Sequence, residues 1–185
     1  KHLVPAKMAT GEQLQLMIYL KAAEQGRKGS YGAAAMYFPI QDQEVDAEDA
    51  ETAEQARVKK NRLKGVALAE EDLLRALDRD VSPYSVDKVF NKDGSISKSA
   101  DWALNRETLD RLKEAAVATA TERCEEIRAG RIEAAPSVES ADISSCTFCE
   151  LQTVCQVKKN RERALDRGLT FQDVAEKNAL RKDRN

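Results

Sequence analysis

The sequence predicts a helix-rich α/β fold for a chain of 185 residues. Two segments, residues 11–25 and 106–129, have the apolar periodicity of helices. Between them the apolar run 33–38 ends at Pro39, which is typical of a short buried strand. Helices that pack around such a strand form a layered α/β arrangement, and a chain of this length can bury one core.

The first helix, residues 11–25, is expected to end at Gly26 and to be buried on more than one face, because it is apolar on most sides. Gln15 and Tyr19 are four residues apart, so their polar tips are expected to share one face. A glutamine in this setting is either a buried, hydrogen-bonded amide or part of an active-site floor. An unpaired buried amide costs about 1–3 kcal/mol.

A reversal of charge follows the predicted strand. Residues 42–54 contain seven acids and no base, and the next stretch is basic. We call its cations the basic strip: Arg57, Lys59, Lys60, Arg62 and Lys64. It is either an exposed helix with separated charges or a surface that faces phosphates.

The middle of the chain alternates short elements with turns. Residues 63–68 are expected to be extended and to lead into a helix with an acidic first turn. Residues 91–95 have the composition of a hairpin turn between segments 86–90 and 96–98. Trp102 is expected to be a core anchor beside this hairpin.

The longest predicted helix, residues 106–129, has Asn105 as its expected N-cap and Gly130 as its terminator. Cys124 lies on its apolar stripe, where it is either a small core side chain or a metal ligand. After the helix, a short strand is expected over 131–135, followed by a polar loop over 137–145.

Cys146, Cys149 and Cys155 have the spacing C-x2-C-x5-C. Thiolates so close together are typical of a zinc site or an iron–sulfur cluster, although unliganded thiols remain an alternative. A four-coordinate site needs one more ligand, which this triplet lacks. His2 is the one histidine, so zinc sites with two histidines and most histidine-based catalysis are excluded.

The composition also bears on whether the chain is a nucleic-acid-binding, membrane or secreted protein. The net charge of −2 gives no overall basic excess for nucleic-acid binding, so a DNA contact would need a local patch. No stretch reaches the length of a membrane span, and no secretory leader is recognisable at the start. Four cysteines in such a chain favour a reducing, cytoplasmic setting.

These motifs resemble a known family. GEQLQLMIYL followed by GAAAMYF is similar to the third motif of RecB-family nucleases of the PD-(D/E)XK class. NKDGSISKSADWAL, IRAGRIEAAP and CTFCELQTVCQV are similar to the C-terminal end of the AddB family, the second subunits of AddAB-type helicase–nucleases. The resemblance spans residues 11–157 and implies a partial PD-(D/E)XK nuclease-like domain over 1–157. Residues 158–185 are highly charged and are expected to form one or two exposed helices or a flexible tail.

The resemblance also implies site residues, cofactors and partners. Gln15 and Tyr19 would be the supporting catalytic motif. Cys146, Cys149 and Cys155, in the cysteine loop 146–155, would be three ligands of a [4Fe-4S] cluster whose fourth ligand is outside this chain. DNA and an AddA-like helicase–nuclease subunit would be the partners, with no membrane. The expected function is degradation of unwound ends at double-strand breaks.

One part of the family pattern is missing. The carboxylates that hold Mg²⁺ belong to motifs expected before the Gln15 helix, and residues 1–10 contain no acid. The resemblance therefore implies a chain that begins inside a nuclease domain and is inactive in isolation. An alternative interpretation is a non-catalytic zinc- or cluster-binding module that joins other macromolecules.

Overall fold

The computed structural model of the chain describes residues 3–40, 45, 50–77, 86, 89–140, 143–147, 149–155, 163–166 and 168–182. Within these ranges, no helix combines the length and apolarity needed to cross a lipid bilayer. The elements occur in the order α1 Pro5–Thr10, α2 Gln15–Gly26, β1 Ala34–Tyr37, α3 Ala50–Lys60, β2 Lys64–Leu68, α4 Glu71–Leu77, β3 Ala103–Leu104, α5 Arg106–Arg128, β4 Ser137–Ser140, β5 Ile143–Ser144, α6 Gln152–Cys155, β6 Arg163–Ala164 and α7 Phe171–Lys182.

The first of two sheets contains three strands in the order β1-β2-β3. β1 is antiparallel to β2, with Ala34 opposite Ala67 and Tyr37 opposite Lys64. β2 is parallel to β3. The strands predicted at 33–38 and 63–68 are therefore confirmed, and so is the mixed, helix-rich α/β class.

Gly65 allows β1 and β2 to approach closely. A Cβ atom at this position would lie 2.1 Å from the Ala35 carbonyl oxygen and 2.8 Å from the Met36 Cα. No side chain fits there without moving the strands apart, because real Cβ atoms keep well beyond 3 Å from backbone atoms. The glycine thus fixes the spacing of the two strands.

Each face of this sheet carries a hydrophobic core. On one face, side chains of α2 and α5 pack against the sheet and α7 packs against α5, and Met17, Leu109 and Leu112 are fully buried. Burial of each leucine contributes roughly 1.5–3 kcal/mol. The other face packs against α4 and the segment around residue 90, and includes Leu74, Val89 and the half-buried Trp102. The prediction that Trp102 joins the core beside the hairpin is confirmed.

Helix α5 begins and ends as predicted. The Asn105 side chain accepts a hydrogen bond of 2.8 Å from the Thr108 amide, which caps the first turn. Gly130 has a φ of 74°, a left-handed conformation that favours glycine after a helix. The core position predicted for Cys124 is wrong, because its side chain is exposed and Ile127 is 63% exposed. The last turns of α5 extend beyond the core.

Helix α7 is one of the helices expected in the charged C-terminal segment, but the expected exposure is wrong. Phe171, Val174 and Ala175 are 8%, 2% and 0% exposed and pack in the same core as α5. Thr170 and Asp173 cap the helix reciprocally, since each accepts a hydrogen bond from the backbone amide of the other. The division of the chain at residues 157 and 158 stays a prediction.

A second, smaller sheet has the strand order β5-β4-β6. Strands β4 and β5 come before the three clustered cysteines in sequence, and β6 comes after them. The strand predicted over 131–135 is wrong, because these residues have no regular structure and β4 begins at Ser137, directly after Pro136. The polar loop predicted over 137–145 instead contains β4 and β5, which are antiparallel. The Ser137 and Ser145 hydroxyl groups form a hydrogen bond of 2.7 Å between the two segments.

The hairpin turn and the acidic run can also be compared with the sequence analysis. The turn at 91–95 is confirmed, with the Asn91 amide donating to the Ser95 carbonyl at 2.8 Å and Phe90 pairing antiparallel with Ile96. Residues 87 and 88 of the predicted first strand lie outside the described residues. The acidic run 42–54 also lies largely outside them, apart from residue 45 and the beginning of α3.

Candidate functional site

Gln15 and Tyr19 lie on one face of α2 at its first turns, as their spacing predicts. Gln15 Nε2 donates a hydrogen bond of 2.7 Å to Tyr19 Oη. The interpretation of Gln15 as a buried amide is wrong, since Gln15 is exposed and Tyr19 is 60% exposed. Since the Tyr19 oxygen accepts this hydrogen bond, the Tyr19 hydroxyl keeps its proton as a donor, and the Gln15 carbonyl oxygen is the acceptor that the pair does not use.

The N-terminal segment fixes the start of α2. Gln13 Oε1 accepts a hydrogen bond of 2.7 Å from the Val4 amide, which ties the segment between α1 and α2 to the chain before it. Leu3, Ala6 and Met8 are buried, so this segment is anchored by apolar contacts as well. Residues before Gln15 therefore hold the start of its helix in place.

A buried ionic cluster joins the middle of α5 to the far end of α2. Lys113 is completely buried, and its Nζ lies 2.5 Å from Glu24 Oε1 and 2.8 Å from Asp110 Oδ1. Tyr31 Oη donates to Asp110 Oδ1 at 3.0 Å, and Lys113 Nζ lies 4.0 Å from the centre of the Tyr31 ring. Glu24 Oε1 also accepts from the Gly32 amide at 2.8 Å. The cluster thus fixes the connection between α2 and β1.

The cluster changes the pKa values of its members. Burial would raise the pKa of Glu24, but hydrogen bonds from Lys113 and the Gly32 amide outweigh this and lower it. Partial burial would likewise raise the pKa of Asp110, and hydrogen bonds from Lys113 and Tyr31 lower it below its ordinary value. For Lys113, burial acts to lower the pKa, and the two carboxylates raise it above its ordinary value. All three groups are therefore held in their charged forms.

Sequence reasoning missed this cluster, although one signal was present. Lys113 lies on the apolar stripe of α5, four residues after Leu109 and three before Ala116, and both of these are buried. A lysine at such a position is buried only when it is paired. Its partner Asp110 is three positions away on the same helix, but its partner Glu24 is 89 positions away, and local periodicity cannot identify such a distant partner.

The three clustered cysteines lie on a turn and the short helix that follows it. The Cys149 amide donates to the Cys146 carbonyl at 3.0 Å, a turn that brings these two residues within about 7 Å at their Cα atoms. Cys155 ends α6, and its amide donates to the Leu151 carbonyl at 2.9 Å. Cys146 is half-buried, Cys149 and Cys155 are exposed, and no disulfide involves any of them.

The donor chemistry of this segment fits part of an iron–sulfur site. Three thiols within ten positions are soft ligands of the kind that such clusters use, and the turn brings the backbones of Cys146 and Cys149 close together. Among the described residues, no three His, Cys, Asp or Glu side chains converge closely enough to hold a metal ion. Cys124, the remaining thiol, lies on α5 and is exposed.

Comparison with known proteins identifies the superfamily. The family model of the PD-(D/E)XK nuclease superfamily matches residues 2–156. This range includes α2 with Gln15 and Tyr19, the three-stranded sheet, α5 and all four cysteines. α7 lies beyond the match.

Several curated relatives share one name, which describes a subunit of an ATP-dependent helicase/deoxyribonuclease. The relative from Clostridium botulinum strain Hall is 32% identical over an alignment of 161 positions, which covers 81% of this chain and 14% of the relative. The relative from Clostridium kluyveri is 28% identical over an alignment of 170 positions, which covers 84% of this chain and 15% of the relative. The relative from Moorella thermoacetica is 30% identical over an alignment of 155 positions, which covers 78% of this chain and 13% of the relative. The chain thus spans about one seventh of the length of these relatives.

Proposed function

Because the chain belongs to the PD-(D/E)XK nuclease superfamily, we propose that it forms the C-terminal part of a nuclease domain in a DNA-repair helicase–nuclease subunit. The complete protein would act with an AddA-like helicase–nuclease subunit and degrade unwound DNA ends at double-strand breaks. The family match over residues 2–156 carries this proposal. The shared name of the relatives, which describes a helicase/deoxyribonuclease, supports it.

The role that we propose for Gln15 and Tyr19 is to position the DNA strand at the reaction centre. Tyr19 Oη already accepts from Gln15 Nε2, so its proton can be donated to a phosphate oxygen or to a bound water. The exposed Gln15 carbonyl oxygen can accept a hydrogen bond at the same place. Both groups project from a helix whose start is anchored, so they are held ready for the substrate.

Mg²⁺ is the proposed metal of the complete domain. When bound, Mg²⁺ would supply Lewis-acid polarisation of the phosphodiester and would favour ionisation of the attacking water. Its carboxylate ligands are expected in motifs that precede the Gln15 helix, and this chain is proposed to contribute the positioning groups Gln15 and Tyr19.

Cys146, Cys149 and Cys155 are proposed to be three of the four protein ligands of a [4Fe-4S] cluster. The fit of three accessible thiols on a turn and an adjoining helix supports this role. The fourth ligand would come from a distant part of the complete polypeptide. A cluster bound in this way closes a very long loop and stabilises the folded domain. Tightly bound zinc in place of iron would favour the alternative of a non-catalytic structural module.

Variants of the Gln15–Tyr19 pair test the proposed function. In the complete protein, Gln15→Ala and Tyr19→Phe are expected to lower the rate of Mg²⁺-dependent DNA degradation by roughly 10- to 100-fold, because each removes a positioning hydrogen bond. Gln25→Ala is the matched control, since Gln25 is exposed at the other end of the same helix. Equal rates for all three variants and the unchanged protein would contradict the role of the pair.

A further inference from the structure

We propose that Leu151 and Val154 form an apolar cover over the side of the [4Fe-4S] cluster that Cys155 binds. This inference rests on the proposed function, because it assigns a role to residues that lie between two of the proposed cluster ligands, Cys149 and Cys155. Leu151 is 63% exposed and Val154 is 71% exposed. We call these two side chains the apolar pair.

One helical turn brings the apolar pair next to Cys155. Leu151 directly precedes α6, and its carbonyl accepts hydrogen bonds from the Val154 amide at 3.1 Å and from the Cys155 amide at 2.9 Å. These bonds join residues three and four positions apart, as in helices. Side chains with this spacing are neighbours on one side of a helix, with Cβ atoms about 5–6 Å apart. Leu151 therefore lies beside both Val154 and Cys155.

The packing of the fold does not account for the apolar pair. In the part of the chain that the structure describes, neither side chain belongs to either of the two hydrophobic cores. Single exposed apolar residues are common in soluble proteins and need no explanation. Here two of them share a single turn with a thiol that is itself exposed. This grouping at a proposed ligand position indicates a role that involves the ligand.

Contact with the proposed cluster gives the apolar pair such a role. A cluster bound by the Cys155 sulfur would lie against the side of the turn that carries Leu151 and Val154. Their side chains have no hydrogen-bonding groups, so they would exclude water from this side of the cluster. The hydrophobic shell around a metal site controls the access of solvent, and with it the stability and the reduction potential of the site.

The effect on the reduction potential has a definite sign. Four thiolate ligands make the centre anionic, and reduction by one electron adds a further negative charge. The removal of water disfavours the form that carries the greater charge. The apolar pair is therefore expected to make the reduction potential more negative, and polar replacements are expected to make it more positive.

The test uses complete protein that is prepared without oxygen. A double variant with Leu151→Asn and Val154→Thr keeps the side chains similar in size and makes them polar. Its iron and sulfide content is expected to equal that of the unchanged protein, because every thiol is retained. Loss of visible absorption after addition of excess EDTA is expected to be about tenfold faster in this variant. The midpoint of a dithionite titration is expected at a more positive potential.

Two further variants serve as controls. Ile127→Asn combined with Ile132→Thr changes apolar side chains that are 63% and 78% exposed but lie outside the cysteine loop, and is expected to leave the rate and the potential unchanged. Leu151→Met combined with Val154→Ile keeps the apolar character and is expected to behave like the unchanged protein. Cluster loss from this apolar variant as fast as from the polar one would overturn the inference, because apolarity would then not matter.

The outcomes separate this inference from the proposed function. Complete protein without iron would contradict both the cluster and the inference. A bound cluster with the same rate of loss and the same potential in the polar variant and the unchanged protein would overturn the inference alone. Faster loss and a more positive potential, in a protein that never degrades DNA, would support the inference and contradict the nuclease role. A polar variant with an unchanged cluster that fails to assemble with the helicase partner would identify a protein-binding surface and overturn the inference.

Discussion

Lys113 Nζ lies 2.5 Å from Glu24 Oε1 and connects two helices across 89 positions of sequence. The ammonium is fully buried, and the Glu24 side chain is only 14% exposed. A buried ion of this kind is tolerated because both of its carboxylate partners and the Tyr31 ring surround it. The contact fixes α2, and therefore Gln15 and Tyr19, relative to α5.

Replacing Lys113 tests the importance of this contact. Lys113→Met is expected to lower the free energy of unfolding by about 3 kcal/mol, because Glu24 and Asp110 lose the charge that compensates them. Chemical denaturation of the chain measures the change. Lys92→Met is the control at an exposed lysine. A loss below about 1 kcal/mol would show that the carboxylates rearrange towards water and that the cluster does not fix the helices.

The same cluster predicts a dependence of stability on pH. Glu24 and Asp110 have pKa values below their ordinary 4.5 and 3.8, so their contribution is present above those values and is lost as the pH falls through the folded-state pKa values. Denaturation midpoints are expected to fall as the pH is lowered below about 4.5. Glu24→Gln is expected to be less stable at pH 7 and to show a weaker decline in acid. A decline as steep as that of the unchanged chain would exclude Glu24 as its source. Glu107→Gln, at an exposed ion pair, is the control.

Gly65 gives a prediction about the sheet. Gly65→Ala is expected to destabilise the chain by roughly 1–3 kcal/mol, because the added methyl group would lie 2.1 Å from the Ala35 carbonyl oxygen. Gly26→Ala is the matched control, since a Cβ atom there has no neighbour within 4 Å. Thermal unfolding of both variants measures the difference. Similar melting temperatures for the two would mean that β1 and β2 can separate at little cost.

The cysteine segment gives a prediction about metal content. In complete protein prepared without oxygen, Cys149→Ser is expected to reduce bound iron and sulfide and to lower the melting temperature, because one ligand of the proposed cluster is lost. Cys124→Ser is the control, since Cys124 is exposed on α5 away from the triplet in sequence. Iron analysis and the visible absorption spectrum measure the change. Equal iron in both variants would contradict the proposed ligand role.

The sequence predicted those parts of the fold that depend on local signals. Periodicity and residues with special backbone preferences predicted α2, α4 and α5, the strands at 33–38 and 63–68, the Asn105 cap and the turn at 91–95. The start of α2 was predicted at residue 11, and the helix begins at Gln15. The shared face of Gln15 and Tyr19 was predictable for the same reason, because positions four apart in a helix are neighbours.

Other features depended on distant partners and could not be predicted locally. Cys124 continues the apolar stripe of α5, but its side chain is exposed because the helix extends beyond the core. In α7, Phe171, Val174 and Ala175 have helical spacing, yet the many charges around them indicated exposure. Their burial depends on α5, which the pattern of a single segment does not reveal. The pairing of Lys113 with Glu24 is of the same kind.

DNA degradation by the complete protein and by this chain alone tests the central claim most directly. With Mg²⁺, the complete protein and its helicase partner are expected to release nucleotides from linear duplex DNA, and EDTA is expected to abolish this. The 185-residue chain alone is expected to release none, because the Mg²⁺-binding carboxylates are proposed to lie outside it. Degradation by the isolated chain, or none by the complete protein, would contradict the account.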